Sequence, residues 1–239
     1  MGTIATPQFA VFGGRYYQAV KRLLDLGVCV VAIPIATVLG LIIGLIIFLD
    51  SRGPILFVQV RVGKKGRLFR MYKFRTLCND GGCAGVEFMQ AYIRGELDSP
   101  AASGVYKPIA GRLTPVGRLL RASSLDELPQ LINVLKGEMS LVGPRPHVPT
   151  EVAAYNPWHR RRLDALPGLT GLAQVNGRSS LSFDEMVHYD VEYVEKQCLS
   201  LDLRILLATV PSVIRRAGAA CFLVSLQLSF LADSLSLFA

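Results

Sequence analysis

A run of 24 uncharged and mostly apolar residues, Leu26 to Leu49, constrains this chain more than any other feature. As an α-helix, a run of this length covers ~36 Å, enough to cross a hydrocarbon core of about 30 Å. Arginine and lysine flank it on both sides, whereas membrane proteins keep these residues on the cytoplasmic side. Pro34 removes a backbone donor inside the run, so the helix can bend there. We therefore expect residues 15–50 to form a re-entrant helical hairpin; a kinked spanning helix is the alternative.

The remainder of the chain has the composition of one folded domain. The 239 residues are 51% hydrophobic and carry a formal net charge of +8, which excludes a disordered chain. We assign residues 1–14 to an N-terminal tail, residues 51–216 to the domain and residues 217–239 to an apolar tail. The alternation of strand-like and helix-like segments predicts a mixed α/β (α+β) fold.

Cysteine and histidine argue against two classes of protein. None of the five cysteines lies in a CxxC motif, so neither a disulfide framework nor a zinc knuckle is indicated. The three histidines are not spaced as ligands of a transition metal. We therefore expect a reducing compartment and no transition-metal enzyme.

A basic hairpin is predicted directly after the apolar run. Two β-branched or aromatic segments, Ile55 to Val62 and Arg67 to Phe74, flank Gly63-Lys64-Lys65-Gly66. Eight cations and no acid occur between Ser51 and Arg75, which suits anionic headgroups and a phosphorylated substrate; a solvated turn is the alternative. Residues 78–111 are rich in small residues and are predicted to form a long, partly helical loop.

An acid pair, Asp126 and Glu127, stands at the start of the next predicted helix. This helix is predicted because apolar residues recur at helical spacing, at Leu128, Leu131, Ile132 and Leu135. Gly137 is expected to end the helix. Two interpretations of the acids stay open. They can cap the helix, because Ser124-x-x-Glu127 has the form of a capping box and Asp126 is a good N-cap. Alternatively, acids beside arginines at a positive helix end form an anion-handling site.

Three further features suggest a phosphate-binding or catalytic role. Arg145 is fixed between Pro144 and Pro146, which suits bidentate phosphate binding, although a plain surface turn is the alternative. The segment Pro167 to Arg178 holds glycines that either admit a ligand or only make turns. Asp190 lies within an apolar helical stripe and must be paired or functional, whereas Asp202 is expected to cap the helix that follows it.

Taken together, these motifs resemble the bacterial sugar transferases, the monotopic phosphoglycosyl transferases. The resemblance covers roughly residues 21–216. The segments that carry it are Lys21-Arg22-Leu23-Leu24-Asp25, Leu49-Asp50-Ser51-Arg52-Gly53-Pro54, Tyr72-Lys73-Phe74-Arg75-Thr76, Ser124-Leu125-Asp126-Glu127-Leu128-Pro129-Gln130, Asn133-Val134-Leu135-Lys136-Gly137-Glu138-Met139-Ser140, Gly143-Pro144-Arg145-Pro146, Pro167-Gly168-Leu169-Thr170-Gly171 and Gln174-Val175-Asn176-Gly177-Arg178.

The resemblance implies a cytoplasm-facing catalytic domain that is tied to the bacterial inner membrane by the re-entrant helix. It implies transfer of a phosphosugar from a nucleotide diphosphate sugar to polyprenol phosphate, with Mg²⁺ as cofactor and a lipid bilayer as partner. Asp126 and Glu127 would be catalytic, and Asp126 would also bind the metal. The family's other polar positions fall on Lys73, Arg75, Arg121, Arg145, Gln174, Arg178, Asp190 and Asp202.

The chemistry of these residues is consistent with that implication. A carboxylate that attacks phosphorus needs a metal to offset the phosphate charge and cations to hold the leaving nucleotide. We therefore expect Asp126 to be the nucleophile and UMP the leaving group. The alternative is a membrane-tethered basic scaffold or a nucleic-acid-binding module, which acids among the cations disfavour. A homodimer is left open.

Overall fold

The computed structural model describes residues 14–77, 90, 93–94, 113–177 and 181–214. Helices and short strands are mixed in this part of the chain, as predicted. Residues 1–13 of the predicted N-terminal tail, the predicted C-terminal tail, nearly all of the predicted loop at 78–111, and Arg178 lie outside the described residues.

The N-terminal helix, α1 (Gly14–Asp50), is long and apolar enough to cross a membrane, judged by length and composition. The helix is not divided at Pro34, and this corrects the expected hairpin of two segments. Residues on both sides of the proline pack against the same domain, which holds the two halves in one helix. Ala32 and Ala36 contact one part of the core, and Ile43 and Ile47 are buried in another.

One face of α1 contacts the domain from end to end. Near its start, Lys21 forms an ion pair with Asp202. In its middle, Cys29 is fully buried in the core. After its end, Ser51 accepts a hydrogen bond from Arg75. The opposite face is apolar and exposed, and it includes Leu23, Val30, Val31, Ile35, Val38, Leu41, Leu45, Phe48 and Leu49.

The predicted basic hairpin is confirmed. Strands β1 (Leu56–Val62) and β2 (Leu68–Phe74) pair antiparallel, with Leu56 opposite Phe74 and Val62 opposite Leu68. A short 3₁₀ helix (Lys64–Gly66) forms the tip, where Lys65 adopts a positive φ of 56°. Local strand patterning and turn glycines are sufficient to specify this element.

The acid pair lies between two helices. Helix α2 (Pro115–Ser123) is followed by a 3₁₀ helix (Leu125–Gln130) and by α3 (Leu131–Lys136). Gly137 ends α3 with a φ of 78°, as predicted.

The predicted apolar stripe of α3 is wrong in part. Ile132 and Leu135 are each 45% exposed, whereas Leu131, Val134 and Asn133 are buried. Asn133 is buried because its amide group bridges to β2. It donates to the Arg70 carbonyl at 2.7 Å and accepts from the backbone N–H of Tyr72 at 3.2 Å.

A second, parallel pair of strands positions the loops around the acid pair. Its strands are β3 (Ser140–Val142) and β4 (Gly168–Thr170). The elements between them are α4 (Pro149–Ala153), α5 (Pro157–Arg160) and a 3₁₀ helix (Arg161–Asp164). A Cβ at Gly168 would lie 2.1 Å from the backbone nitrogen of Gly143. Gly168 therefore permits the close approach of two backbone segments.

Three helices complete the described fold: α6 (Leu172–Val175), α7 (Phe183–Lys196) and α8 (residues 199–214). The capping box at Ser182 and Glu185 begins α7, and the buried face of this helix includes Phe183, Met186, Val187 and Asp190. The expected cap at Asp202 is wrong. Asp202 lies inside α8 and its carboxylate binds side chains of α1 and α7.

Candidate active site

The backbone at Ser124 determines how the acid pair is presented. Ser124 has a φ of 59°, so it ends α2 in the left-handed conformation and turns the chain into the 3₁₀ helix. Its side chain makes no cap hydrogen bond, so the predicted capping box is absent. Asp126 lies inside the 3₁₀ helix and is not its N-cap. Helix capping therefore does not account for the two acids.

Glu127 is the centre of a cluster of charged side chains. Its Oε1 accepts hydrogen bonds from Lys73 Nζ and from an Arg145 guanidinium nitrogen, each at 2.9 Å. Lys73 comes from β2, and Arg145 comes from the loop after β3. Two elements that are distant in sequence thus bring cations to the acid pair, as the resemblance implies.

Asp126 is only 7% exposed, and its carboxylate makes no hydrogen bond within the described part of the chain. Burial raises the pKa of Asp126, and the neighbouring Glu127 raises it further. Lys73, Arg145 and Arg121 oppose this shift by stabilising the ionised form. The charges of these cations thus act on the Asp126 carboxylate, although it forms no hydrogen bond with the described residues.

Lys73 is poised to lose its proton in a moderately alkaline solution. Burial lowers its pKa to about 8, and repulsion by Arg145 adds to the effect. Glu127 and Asp126 act in the opposite direction.

Arg121 lies at the edge of the same cluster. It comes from the last turn of α2, and its Nε donates to Thr76 Oγ1 at 2.9 Å. Its charge favours the ionised form of Asp126 and so lowers the pKa of that carboxyl.

The loop that carries Arg145 is not an ordinary surface turn. Gly143, Pro144 and Pro146 are buried around it. Beneath it, the buried Arg162 donates to the Arg145 carbonyl at 2.9 Å and forms an ion pair with Asp190. Asp190 is therefore paired, as expected for a carboxylate in an apolar stripe. It fixes Arg162, which in turn binds the backbone of the Arg145 loop.

Sequence reasoning missed the residues that support this loop. Arg162 also donates to the hydroxyl of Tyr155 at 2.6 Å, and this hydroxyl lies 2.7 Å from His147 Nδ1. Asp190 was the sequence feature that could have indicated them, because a buried carboxylate requires a buried cation as its partner. The only sequence clue to which cation was the basic run Arg160-Arg161-Arg162.

Two predicted site residues, Arg75 and Asp202, bind helix α1 or the residues just after it. Arg75 donates to the carbonyls of Ser51 and Arg52, just after the end of α1. Asp202 accepts hydrogen bonds from Tyr17 and Lys21 of α1, at 2.9 and 2.7 Å. In the described structure neither forms an ion pair or a hydrogen bond with the acid pair.

Gln174 lines a cavity that also reaches Glu127. The cavity has a volume of about 390 Å³, including its opening, and its other polar lining residues are Ser124, Thr170, Thr209 and Ser212. Helix α8, which supplies two of these hydroxyls, was not expected to take part in the site. Its contribution carries no recognisable sequence motif.

The carboxylates of the acid pair are of the kind that magnesium accepts as ligands. No group of three or more His, Cys, Asp or Glu side chains converges in the described ranges. Magnesium is commonly held by one or two carboxylates together with waters and substrate phosphates, so it needs no such group. Asp126, with its unengaged oxygens, is suited to be one ligand.

The geometry thus places an acid pair beside a lysine and an arginine, with Glu127 hydrogen-bonded to both cations. Comparison with known proteins identifies the family to which this arrangement belongs. The family model described as bacterial sugar transferase matches residues 16–216. The chain belongs to the bacterial sugar transferase family.

Relatives with curated names agree with the family. The Uncharacterized sugar transferase EpsL of Bacillus subtilis (strain 168) is 39% identical over 198 residues, which cover 83% of this chain and 89% of EpsL. The UDP-glucose:undecaprenyl-phosphate glucose-1-phosphate transferase of Caulobacter vibrioides is 41% identical over 208 residues, covering 83% and 71%. The Undecaprenyl-phosphate galactose phosphotransferase of Salmonella typhimurium is 39% identical over 210 residues, covering 86% of this chain but 42% of the longer relative.

Family and relatives together identify the chain as a phosphoglycosyl transferase. This finding favours the enzyme over the alternative of a scaffold or a nucleic-acid-binding module.

Proposed function

We propose that this protein transfers a sugar 1-phosphate from a UDP-sugar to polyprenol (undecaprenyl) phosphate. The products are a polyprenyl diphosphate sugar and UMP. The observation that carries the proposal is the buried Asp126 carboxylate, which forms no hydrogen bond in the described ranges, beside a Glu127 that binds both Lys73 and Arg145. The names of the Caulobacter and Salmonella relatives support the class of acceptor, and the first also supports the donor.

The reaction has two steps at one phosphorus atom. In the first, an oxygen of Asp126 attacks the sugar-linked phosphorus and the bond to the bridging oxygen breaks, so UMP leaves with the electron pair. In the second, an oxygen of the polyprenol phosphate attacks the same phosphorus. The aspartyl–phosphorus bond then breaks and the carboxylate is regenerated.

The residues around Asp126 have separate roles in this scheme. Lys73 and Arg145 hold the phosphates of the donor and offset the charge of the departing UMP. Glu127 positions both cations and assists the second step. Asp126 and a phosphate oxygen would hold Mg²⁺, which would supply charge neutralisation at the reacting phosphate when bound.

Helix α1 supports a location at a lipid bilayer. Its outer face is exposed and apolar along the helix, and a surface of this kind is suited to contact with lipid. Lys21 near one end and Ser51 just after the other bind the same domain. At ~1.5 Å per residue, the helix between these two residues is longer than the hydrocarbon core of a bilayer is thick. If α1 crossed the membrane, parts of the same domain would therefore have to lie on both sides of the bilayer.

We therefore propose that α1 enters the inner membrane from the cytoplasmic side and does not cross it. Both ends of the helix then lie on the cytoplasmic side. A soluble donor and a membrane-bound acceptor can meet at such a surface. The product is suited to begin assembly of a glycan such as an exopolysaccharide, a capsule, an O-antigen or a glycoprotein.

Release of UMP tests this function. The full-length protein would be incubated with Mg²⁺, undecaprenyl phosphate and one UDP-sugar at a time from a panel. We expect at least one donor to yield UMP and a lipid-linked diphosphate sugar, and EDTA to stop turnover. Release of UDP in place of UMP would contradict the proposal, because it requires cleavage at the sugar carbon.

A further inference from the structure

The cavity beside Glu127 has a chemical property that the acid pair does not explain. Its lining presents more hydrogen-bond acceptors than donors. We call it the acceptor cavity and define it by Glu127, Thr170, Gln174, Thr209 and Ser212, together with Ser124 and aliphatic side chains that include Leu169 and Val213.

The hydroxyls from α8 have already used their protons. Thr209 Oγ1 donates to the Ile205 carbonyl at 2.7 Å, and Ser212 Oγ donates to the Ala208 carbonyl at 2.9 Å. A hydroxyl has one proton and two acceptor positions. Both oxygens therefore face the cavity with acceptor capacity only.

The same reasoning extends to Thr170. Its Oγ1 lies 2.7 Å from Thr209 Oγ1. Either hydroxyl can be the donor in this contact, and Thr170 is the donor when Thr209 donates to the Ile205 carbonyl. In that arrangement Thr170 is also left as an acceptor.

Two buried polar atoms complete the lining and have no partner. Gln174 uses its amide nitrogen on the Leu169 carbonyl at 3.2 Å, while its Oε1 is buried and unbonded. Ser124 Oγ is likewise buried without a partner among the described residues. Its hydroxyl and the second N–H of the Gln174 amide are the donors that this lining retains. Buried polar atoms without partners are costly, so they suggest a ligand that completes them.

A ligand for this cavity must therefore be rich in donors. Phosphate offers only acceptors at neutral pH, and the lining residues include no lysine or arginine among those described. A polyprenyl chain has no polar hydrogen. A sugar ring offers a hydroxyl donor at most of its carbons, and its C–H faces suit aliphatic walls.

We infer that the acceptor cavity binds the sugar ring of the donor, and that Thr209 and Ser212 of α8 determine which sugar is accepted. This inference rests on the proposed function, since the donor phosphates at Lys73 and Arg145 would place the sugar beside Glu127. The hydroxyl or amide N–H groups of the sugar donate to Gln174, Thr170 and Ser212.

The test compares the binding of UDP-sugars with that of UDP. Calorimetry would use full-length protein carrying Asp126→Asn, which stops turnover, with and without Ser212→Ala. Alanine is the better helix former, so this change does not weaken α8. We expect the affinity for the preferred UDP-sugar to fall about three- to tenfold while the affinity for UDP is unchanged, as for one lost hydrogen bond.

Ser123→Ala is the matched control. Ser123 Oγ donates to the Leu119 carbonyl at 2.9 Å, so it makes the same kind of intrahelical bond outside the cavity. This variant should leave both affinities unchanged. In the active enzyme, Thr209→Val should alter the ratio of kcat/KM between donors that differ at one hydroxyl.

Three results would overturn the inference. The first is an unchanged UDP-sugar affinity in Ser212→Ala, and the second is an equal loss for UDP. The third is a change confined to the KM of polyprenol phosphate, which would assign the cavity to the lipid. Failure of the proposed function shows itself differently, as the absence of UMP release by the wild-type protein with any donor.

Discussion

Arg145 and Glu127 are joined by a hydrogen-bonded ion pair of 2.9 Å, although they come from a loop and a helix that are 18 residues apart. Arg145 is held from behind as well, because its carbonyl accepts a hydrogen bond from the buried Arg162. The guanidinium therefore has a fixed position beside the acid pair. Its side chain is 36% exposed and can still reach a ligand.

Arg145→Lys should reduce activity far more than stability. Lysine keeps the charge but cannot offer two parallel N–H donors to a phosphate. We expect kcat/KM to fall at least about tenfold, with a change in the free energy of unfolding below ~1 kcal/mol. Arg161→Lys is the matched control, since Arg161 pairs with the exposed Glu195 on the surface. Equal losses of activity and stability in the Arg145 variant would show a structural role.

Lys73 should give activity and stability opposite dependences on pH. Its folded-state pKa is about 8 and its ordinary value is 10.5. Activity should fall as pH rises through about 8, because the cation that holds the donor is lost. Between these pH values the unfolded chain holds a proton that the folded chain lacks, so the Lys73 contribution to the free energy of unfolding rises with pH.

Lys73→Met isolates that contribution. Chemical denaturation of both proteins at pH 7 and at pH 10 should show that the wild type gains stability relative to the variant at the higher pH. A difference that does not change with pH would mean that Lys73 titrates normally.

The proposed orientation of α1 predicts that a reagent on one side of the membrane can reach residues at both ends of the helix. Tyr16 is 75% exposed before the apolar run, and Arg67 is exposed at the tip of the hairpin after it. Single cysteines at these positions should react alike with an impermeant thiol reagent, in right-side-out and in inverted vesicles. The unsubstituted chain gives the background from its own cysteines. Labelling of the two positions from opposite sides would establish a spanning helix.

Asp202 should prove more important for folding than for substrate binding. It forms a buried ion pair with Lys21 at 2.7 Å and accepts a hydrogen bond from Tyr193 at 2.8 Å. Asp202→Asn leaves Lys21 buried without its counter-charge, which typically costs ~3–5 kcal/mol. Thermal unfolding should show this loss, whereas Glu195→Gln, at an exposed pair, should change stability by less than ~1 kcal/mol. An increased KM for the donor at unchanged stability would instead support the substrate-binding role implied by the resemblance.

Features specified by neighbouring residues were predictable from the sequence. The hairpin of β1 and β2, the capping box of α7 and the end of α3 at Gly137 all depend on patterns within a few residues. The acid pair and Arg145 could be selected as candidate site residues from the sequence, because they lie in motifs whose order along the chain is recognisable.

Features that depend on distant residues were not predictable in the same way. Ser124 has the sequence of a capping residue, yet packing between α2 and the 3₁₀ helix places it in the left-handed conformation. Asp202 has the sequence of a helix cap, but its partner Lys21 is 181 residues away. The buried face of α3 was misassigned because strand β2 covers Asn133. The residue pattern within α3 does not indicate that β2 packs there.

The most direct test of the account is to look for the phosphosugar on Asp126. Wild-type protein mixed with Mg²⁺ and a labelled UDP-sugar, without polyprenol phosphate, should release up to one equivalent of UMP and gain the mass of one phosphosugar, which peptide mapping places on Asp126. Asp126→Asn should fold normally yet give neither product, whereas Glu127→Gln should form the adduct but turn over slowly. Wild-type turnover by Asp126→Asn, or turnover of the wild type by a route that never labels the protein, would contradict the two-step mechanism.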